Sequence, residues 1–172
     1  FTFELKCNTS GQNYEDAIRQ YKFERDYKTR LLKFKAGCLA HFAMDLNEVY
    51  MCTNLKGKSS FFLPFNKGCG IGVHSGKGNP HNENGINVSY MWEDILKKDT
   101  VLYLIDKIIF LQKETKKDPD TGKRVTKETL IFPRYHQFNA VRKLVADVVE
   151  HHSEKNYLIE HSAGSGKTNT IA

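Results

Sequence analysis

The hydrophobic pattern of residues 1–21 predicts a strand followed by a helix. Apolar and polar side chains alternate over residues 1–7, and a period of two is typical of a strand with one apolar and one polar face. After expected helix caps at residues 8–10, the apolar residues recur every three or four positions, at Tyr14, Ala17, Ile18 and Tyr21. That spacing predicts an amphipathic helix.

Short strands, a polar loop and further helices are predicted for the rest of the chain. Three strands joined by turns are expected over 38–44, 49–53 and 61–65. Residues 66–87 are rich in glycine and asparagine, which favours a long loop. Helical periodicity and turn residues predict helices over 90–97, 100–110 and 135–151, a hairpin around 118–122 and a strand over 157–160. The apolar stripe of the helix over 100–110 is expected at Leu102, Ile105, Ile108 and Ile109.

Charge and composition narrow the class of protein. The 172 residues carry a net charge of +6 and are 40% hydrophobic, with no apolar run near the roughly 18 residues that span a bilayer. Residues 19–35 hold seven Lys or Arg against two acidic residues, so this segment either neutralises phosphates or forms a solvated helix face. The four cysteines form no CxxC pair. This favours reduced thiols in the cytoplasm and disfavours a zinc site at Cys69, His74 and His81.

A phosphate-binding loop is the most specific motif of the chain. Residues 161–168 read HSAGSGKT, and they follow a predicted strand. Backbone N–H groups around Gly164, Ser165 and Gly166 would surround phosphate oxygens of ATP. Lys167 would reach the β and γ phosphates, and the Thr168 hydroxyl would bind Mg²⁺.

A glutamine upstream of this loop is the second nucleotide-binding candidate. Residues 132–137 read FPRYHQ, and Gln137 resembles the adenine-reading glutamine of superfamily 2 helicases. A carboxamide donates a hydrogen bond to adenine and accepts one from it at the same time. Alone, Gln137 is an ordinary residue at a helix start, but beside GSGKT the adenine role is favoured, with Arg134 in the same site.

Glu4-Leu5-Lys6 forms an ExK triplet on the first predicted strand. Residues i and i+2 of a strand point to the same face. There Glu4 could bind a metal ion, and Lys6 could orient water or stabilise charge on a phosphate. The triplet resembles the second half of the PD-(D/E)xK nuclease motif, whose first acid is expected upstream of Phe1. Taken alone, an ExK triplet is more often a solvated strand face.

The helix predicted after this strand adds further candidates. RecB-like nucleases carry QxxxY on the corresponding helix, whereas Gln20 and Tyr21 are adjacent here. Tyr21 belongs to the apolar stripe and is expected in the core. Gln20 and Arg25 are the better polar candidates for the nuclease site.

These parts occur in the same order in one family, the R subunits of type I restriction–modification enzymes. Segments 4–6, 11–12, 17–21, 62–66 and 78–80 resemble its nuclease domain, and segments 131–137 and 161–167 resemble the entry to its motor. The resemblance implies ATP-driven translocation along double-stranded DNA, followed by Mg²⁺-dependent cleavage. It implies the methylation and specificity subunits as partners.

The implied architecture is α/β. It comprises a PD-(D/E)xK-type mixed sheet flanked by helices over 1–95, a connecting helix and hairpin over 96–132, and the start of a RecA-like P-loop motor over 133–172. By themselves these residues are expected to be inactive, because the first nuclease acid and the Walker B acid lie outside them. Two alternatives stay open: a superfamily 2 helicase with a non-catalytic DNA-binding accessory domain, and a DNA-binding module that has lost cleavage.

Overall fold

The structure is a computed structural model that describes residues 1–69, 77–119, 121–152, 155–160 and 166. Its centre is a mixed sheet of four strands, which are β1 (Thr2–Leu5), β2 (His41–Met44), β3 (Val49–Cys52) and β4 (Leu63–Pro64). The strands are neighbours in this order, with β1 parallel to β2 and the other pairs antiparallel. The strands predicted over residues 1–7 and 38–65 are therefore confirmed, although each is shorter than expected.

The other described elements surround this sheet. They are α1 (Tyr14–Phe23), a π-helical turn (Met91–Ile95), α2 (Lys98–Tyr103), a second π-helical turn (Leu104–Ile108), a hairpin of β5 (Phe110–Lys117) and β6 (Arg124–Ile131), and α3 (Tyr135–His151). The predicted hairpin and the helices at 14–21 and 135–151 are confirmed. No described helix is both long enough and apolar enough to cross a membrane.

The cap of α1 lies later than the sequence pattern indicated. The Asn13 side chain accepts hydrogen bonds from the N–H groups of Glu15 and Asp16, and the Asp16 carboxylate accepts one from the Asn13 N–H. This reciprocal arrangement satisfies N–H groups that the first helical turn leaves free. Residues 8–10 form a separate 3₁₀ turn instead of the cap.

The core lies on both sides of the sheet, because all four residues of β2 are buried. Phe42 belongs to a cluster that includes Phe132 and Phe138 near the start of α3. The next residue, Ala43, belongs to a cluster with Ala17 and Tyr21 of α1. Successive strand residues point to opposite faces, so α1 covers one face and the first turn of α3 packs on the other. The chain thus has a mixed α/β fold.

The apolar stripe predicted for residues 100–110 is correct for two of its four residues. Leu102 and Ile105 are about half exposed, whereas Leu104 is fully buried and Ile108 and Ile109 pack against the same core cluster. A π-helical turn holds more residues than an α-helical turn, so positions i, i+4 and i+5 face the core here. A spacing of three and four residues therefore identified the end of the buried stripe, at Ile108 and Ile109, but not its beginning.

The C-terminal part of the described chain is largely exposed. Val145, Val148 and Val149 of α3 are all more than 40% exposed, so only the beginning of this helix packs into the core. The strand predicted at 157–160 is not formed, and Leu158 is 86% exposed. A strand requires a hydrogen-bonding neighbour, and no described strand pairs with this segment.

Candidate functional sites

Glu4 and Lys6 lie on the polar side of β1. Glu4 is opposite Ala43 in the parallel register, so it shares the sheet face that α1 covers. The Lys6 N–H donates to the Met44 carbonyl oxygen at 2.9 Å, which continues the ladder beyond Leu5. The alternation therefore places Glu4 and Lys6 on one side, where both are partly buried. The apolar side is the more open one, with Leu5 64% exposed.

Arg25 binds the Glu4 carboxylate through two nitrogens. Its Nη2 lies 2.9 Å and 3.2 Å from the two carboxylate oxygens, and its Nε lies 3.2 Å from one of them. The Glu4 side chain is only 15% exposed, whereas that of Arg25 is 52% exposed. Arg25 follows directly on the end of α1, and its N–H donates to the Gln20 carbonyl oxygen. The fold thus brings two predicted site residues, Glu4 and Arg25, into direct contact.

A buried hydrogen-bonded chain lies on the same face as Glu4. The Tyr21 hydroxyl donates to Thr2 Oγ1 at 2.9 Å, and Thr2 Oγ1 lies 2.7 Å from His41 Nδ1. The Thr2 hydroxyl therefore links the Tyr21 hydroxyl to the His41 ring. Burial raises the pKa of Tyr21 to about 12 and lowers the pKa of His41 to about 4, so both are neutral at pH 7.

The hydrogen-bonded series contains one residue that the sequence placed in the core and two that the sequence did not indicate. Tyr21 is 2% exposed, which confirms its expected place in the core. Thr2 and His41 were missed from the sequence. Thr2 could have been found, because it lies two residues before Glu4 and therefore on the same strand face. His41 gave no signal, since it stands among apolar residues.

Gln20 carries a buried acceptor. Its side-chain Oε1 is inaccessible to solvent and receives no hydrogen bond within the described part of the chain. A buried carbonyl oxygen without a donor costs free energy. In the same part of the chain, no three His, Cys, Asp or Glu side chains converge as a metal site would require. The polar side of β1 therefore offers the Glu4 carboxylate, and α1 carries an unused amide oxygen, Gln20 Oε1.

Gln137 and Gly166 are in direct contact. Gln137 is 6% exposed; its Oε1 accepts from the Arg134 N–H at 2.8 Å, and its Nε2 donates to the Gly166 carbonyl oxygen at 2.8 Å. Gly166 has φ 83°, and a Cβ there would lie 2.6 Å from Gln137 Nε2. The backbone conformation therefore favours glycine, and an added Cβ would displace the end of the Gln137 side chain. The remaining predicted loop residues lie outside the described part of the chain; they are Gly164, Ser165, Lys167 and Thr168.

A cleft of about 450 Å³ opens beside this contact. Arg134, Gln137 and Gly166 line one part of it, and the segment after β3, including Asn54 and Lys56, lines another. Its volume is within the range of small-molecule sites. The sequence predicted the glutamine and the glycine, but it did not indicate that the segment after β3 shares their cleft.

Comparison with known proteins gives one informative similarity. The chain is 31% identical over 103 residues to a Methanocaldococcus jannaschii protein, whose name assigns it provisionally as the type I restriction enzyme MjaVIIIP endonuclease subunit. The match covers 52% of this chain and 9% of that protein. No protein-family model and no solved structure matches the chain. The similarity supports a relationship to restriction enzymes.

Proposed function

We propose that the chain belongs to the R subunit of a type I restriction–modification enzyme. In this proposal it contains most of the nuclease domain (1–95), a connecting segment (96–132) and the start of the motor (133–172). The observation that carries the proposal is the pairing of two sites in one fold. Glu4 and Lys6 share a partly buried face of β1, and Gln137 contacts Gly166 of the phosphate-loop motif. The similarity to an archaeal restriction subunit supports the same assignment.

The proposed nuclease chemistry rests on the polar face of β1. Glu4 would be one ligand of Mg²⁺, with the first acid of the motif supplied from upstream. When bound, Mg²⁺ would supply Lewis acidity and a more acidic water. Lys6 would stabilise the charge that develops on the scissile phosphate of double-stranded DNA. Gln20 Oε1, which has no donor in the described chain, and Arg25 would position the water or the phosphate.

The proposed motor chemistry rests on the Gln137–Gly166 contact. Gly164, Ser165, Gly166, Lys167 and Thr168 would bind the phosphates of ATP and their Mg²⁺. Arg134 and Gln137 would complete the site at the start of α3. The motor would translocate DNA in the cytoplasm, together with methylation and specificity subunits, before the nuclease cuts.

A second candidate is a superfamily 2 helicase whose N-terminal part is a non-catalytic DNA-binding domain. One observation favours it: both carboxylate oxygens of Glu4 are engaged by Arg25, as in a purely structural ion pair. The Glu4→Gln variant of the full-length protein separates the two functions. Incubated with its partner subunits, ATP, Mg²⁺ and unmethylated plasmid, it should fail to cut while wild type cuts. Absence of cleavage by wild type, with ATP hydrolysis intact, would favour the helicase, and normal cleavage by the variant would mean that Glu4 is not part of the cleavage site.

A further inference from the structure

The β5–β6 hairpin is a two-stranded ribbon that leaves its distal half open on both faces. Eight residue pairs join Phe110–Lys117 to Arg124–Ile131. Beyond the base, residues 113–117 and 124–127 are all exposed. An isolated two-stranded hairpin is only marginally stable in water, and charged side chains rather than apolar ones occupy most of these positions.

The distal half of the hairpin carries cations that form no ion pair. Among the described residues of the hairpin, these cations are Lys117, Lys123, Arg124 and Lys127. Lys117 lies directly opposite Arg124 in the register, and like charges in that position repel. A repulsive pair therefore lies at the end of an exposed ribbon. An anionic partner would relieve this repulsion.

The base of the ribbon is joined to the basic segment at residues 19–35. Lys35 Nζ lies 2.5 Å from Glu128 Oε2, and Lys113 Nζ lies 3.4 Å from Glu128 Oε1. Both contacts neutralise the Glu128 carboxylate and hold its pKa below its usual value. Positive charge thus continues from the ribbon to the segment that contains Arg25, the partner of Glu4.

We propose that the distal half of the β5–β6 hairpin is an arm that binds duplex DNA in the major groove. The major groove of B-form DNA, about 12 Å wide, admits a two-stranded ribbon, whereas the narrow major groove of duplex RNA does not. Lys117 and Arg124 lie on one face and Lys127 on the other, so the ribbon presents cations to the phosphates on both sides of a groove. The choice of DNA as the polyanion rests on the proposed function.

The test is equilibrium binding of the chain to a short fluorescent DNA duplex over a range of salt concentrations. The arm variant replaces Lys117, Lys123, Arg124 and Lys127 with glutamine. A matched control makes the same change at Lys97, Lys98, Lys107 and Lys143, which lie outside the hairpin. The logarithm of the DNA-binding constant falls linearly with the logarithm of the salt concentration, and each lost phosphate contact reduces the size of this slope by about 0.9. The size of the slope should therefore decrease by about two to four in the arm variant and by less than about one in the control variant.

Folding and partner class are checked in the same experiment. Thermal unfolding should show that Lys117→Gln with Arg124→Gln, which removes the repulsive pair, does not lower the melting temperature; this pair alone should still weaken DNA binding. Equal losses in the arm and control variants would overturn the proposal, and so would equal affinity for duplex RNA. Because binding requires neither cleavage nor ATP, failure of the arm leaves the Glu4→Gln result standing. A protein that binds DNA through the arm but never cuts it would contradict only the proposed nuclease activity.

Discussion

The guanidinium of Arg25 engages both carboxylate oxygens of Glu4, with a closest approach of 2.9 Å. Glu4 is also the residue proposed to bind Mg²⁺. A carboxylate cannot offer the same oxygen lone pairs fully to a guanidinium and to a metal ion. In the proposed nuclease, Arg25 and the metal ion therefore compete for Glu4, and a DNA phosphate that draws Arg25 away would favour metal binding.

Arg25→Ala should consequently increase the affinity of the protein for Mn²⁺ at Glu4. An ion pair with one partner half exposed is worth at most about 1 kcal/mol, so the expected gain is about three- to fivefold. Titration calorimetry with Mn²⁺ on the full-length protein measures it. Glu4→Gln is the control and should remove the binding in either background. Unchanged Mn²⁺ affinity in Arg25→Ala would show that the two do not compete.

His41 should make the free energy of unfolding depend on pH below neutrality. Its pKa falls from 6.5 to about 4 on folding, mainly because of burial. Between these values the unfolded chain takes up a proton that the folded chain refuses, so stability decreases as pH falls. The loss should reach about 2 kcal/mol between pH 7 and pH 5.

Denaturant unfolding of wild type and His41→Gln at both pH values tests this. The carboxylates titrate equally in the two proteins, so the comparison isolates His41. Between pH 7 and pH 5, the free energy of unfolding should fall by about 2 kcal/mol less in the variant than in wild type. Identical pH dependence would mean that folding does not lower the pKa of His41, and the effect assigned to its burial would be wrong.

Gly166→Ala should weaken nucleotide binding, because the new Cβ would lie 2.6 Å from Gln137 Nε2. The expected loss of affinity for a fluorescent ATP analogue is about tenfold, as for a displaced buried hydrogen bond. Gly11→Ala is a matched control: it has a similar φ of 72° but nothing within 4 Å of the added atom. It should bind nucleotide like wild type.

A double variant separates the clash from other effects. Gln137→Ala removes the atom that the new Cβ meets, so adding Gly166→Ala to it should cost little further affinity. If the double variant is instead about tenfold weaker than Gln137→Ala alone, the contact between Gln137 and Gly166 does not control the loop.

The periodic elements of the fold were predictable from the sequence because their apolar residues recur with the period of a strand or of a helix. The alternation at residues 1–7 located β1, and the spacing of Ala17 and Tyr21 located the buried side of α1. The cap at Asn13 was missed, since several capping residues precede the helix and only the geometry selects one. The segment around Leu104 was misjudged because π-helical turns have no distinct sequence signature.

The candidate site was predictable as residue types but not as contacts. The ExK triplet identified Glu4 and Lys6, and the FPRYHQ segment identified Gln137. Their pairing with Arg25 and Gly166 depends on tertiary packing, which local patterns do not contain. Arg25 lies 21 residues from Glu4, and Gln137 lies 29 residues from Gly166. Nothing in the spacing of either pair specifies that they meet.

The central claim is that one chain joins a nuclease site at Lys6 to a motor site at Lys167, and two assays on two variants test it most directly. They are measured in the full-length subunit with its partner subunits, as ATP hydrolysis and as DNA cleavage. Lys6→Ala should lose cleavage but keep ATP hydrolysis, because its charge is directed at the DNA phosphate alone. Lys167→Ala should lose both, because in the proposed enzyme cleavage follows translocation. Normal cleavage by Lys6→Ala, or undiminished cleavage by Lys167→Ala, would contradict the account.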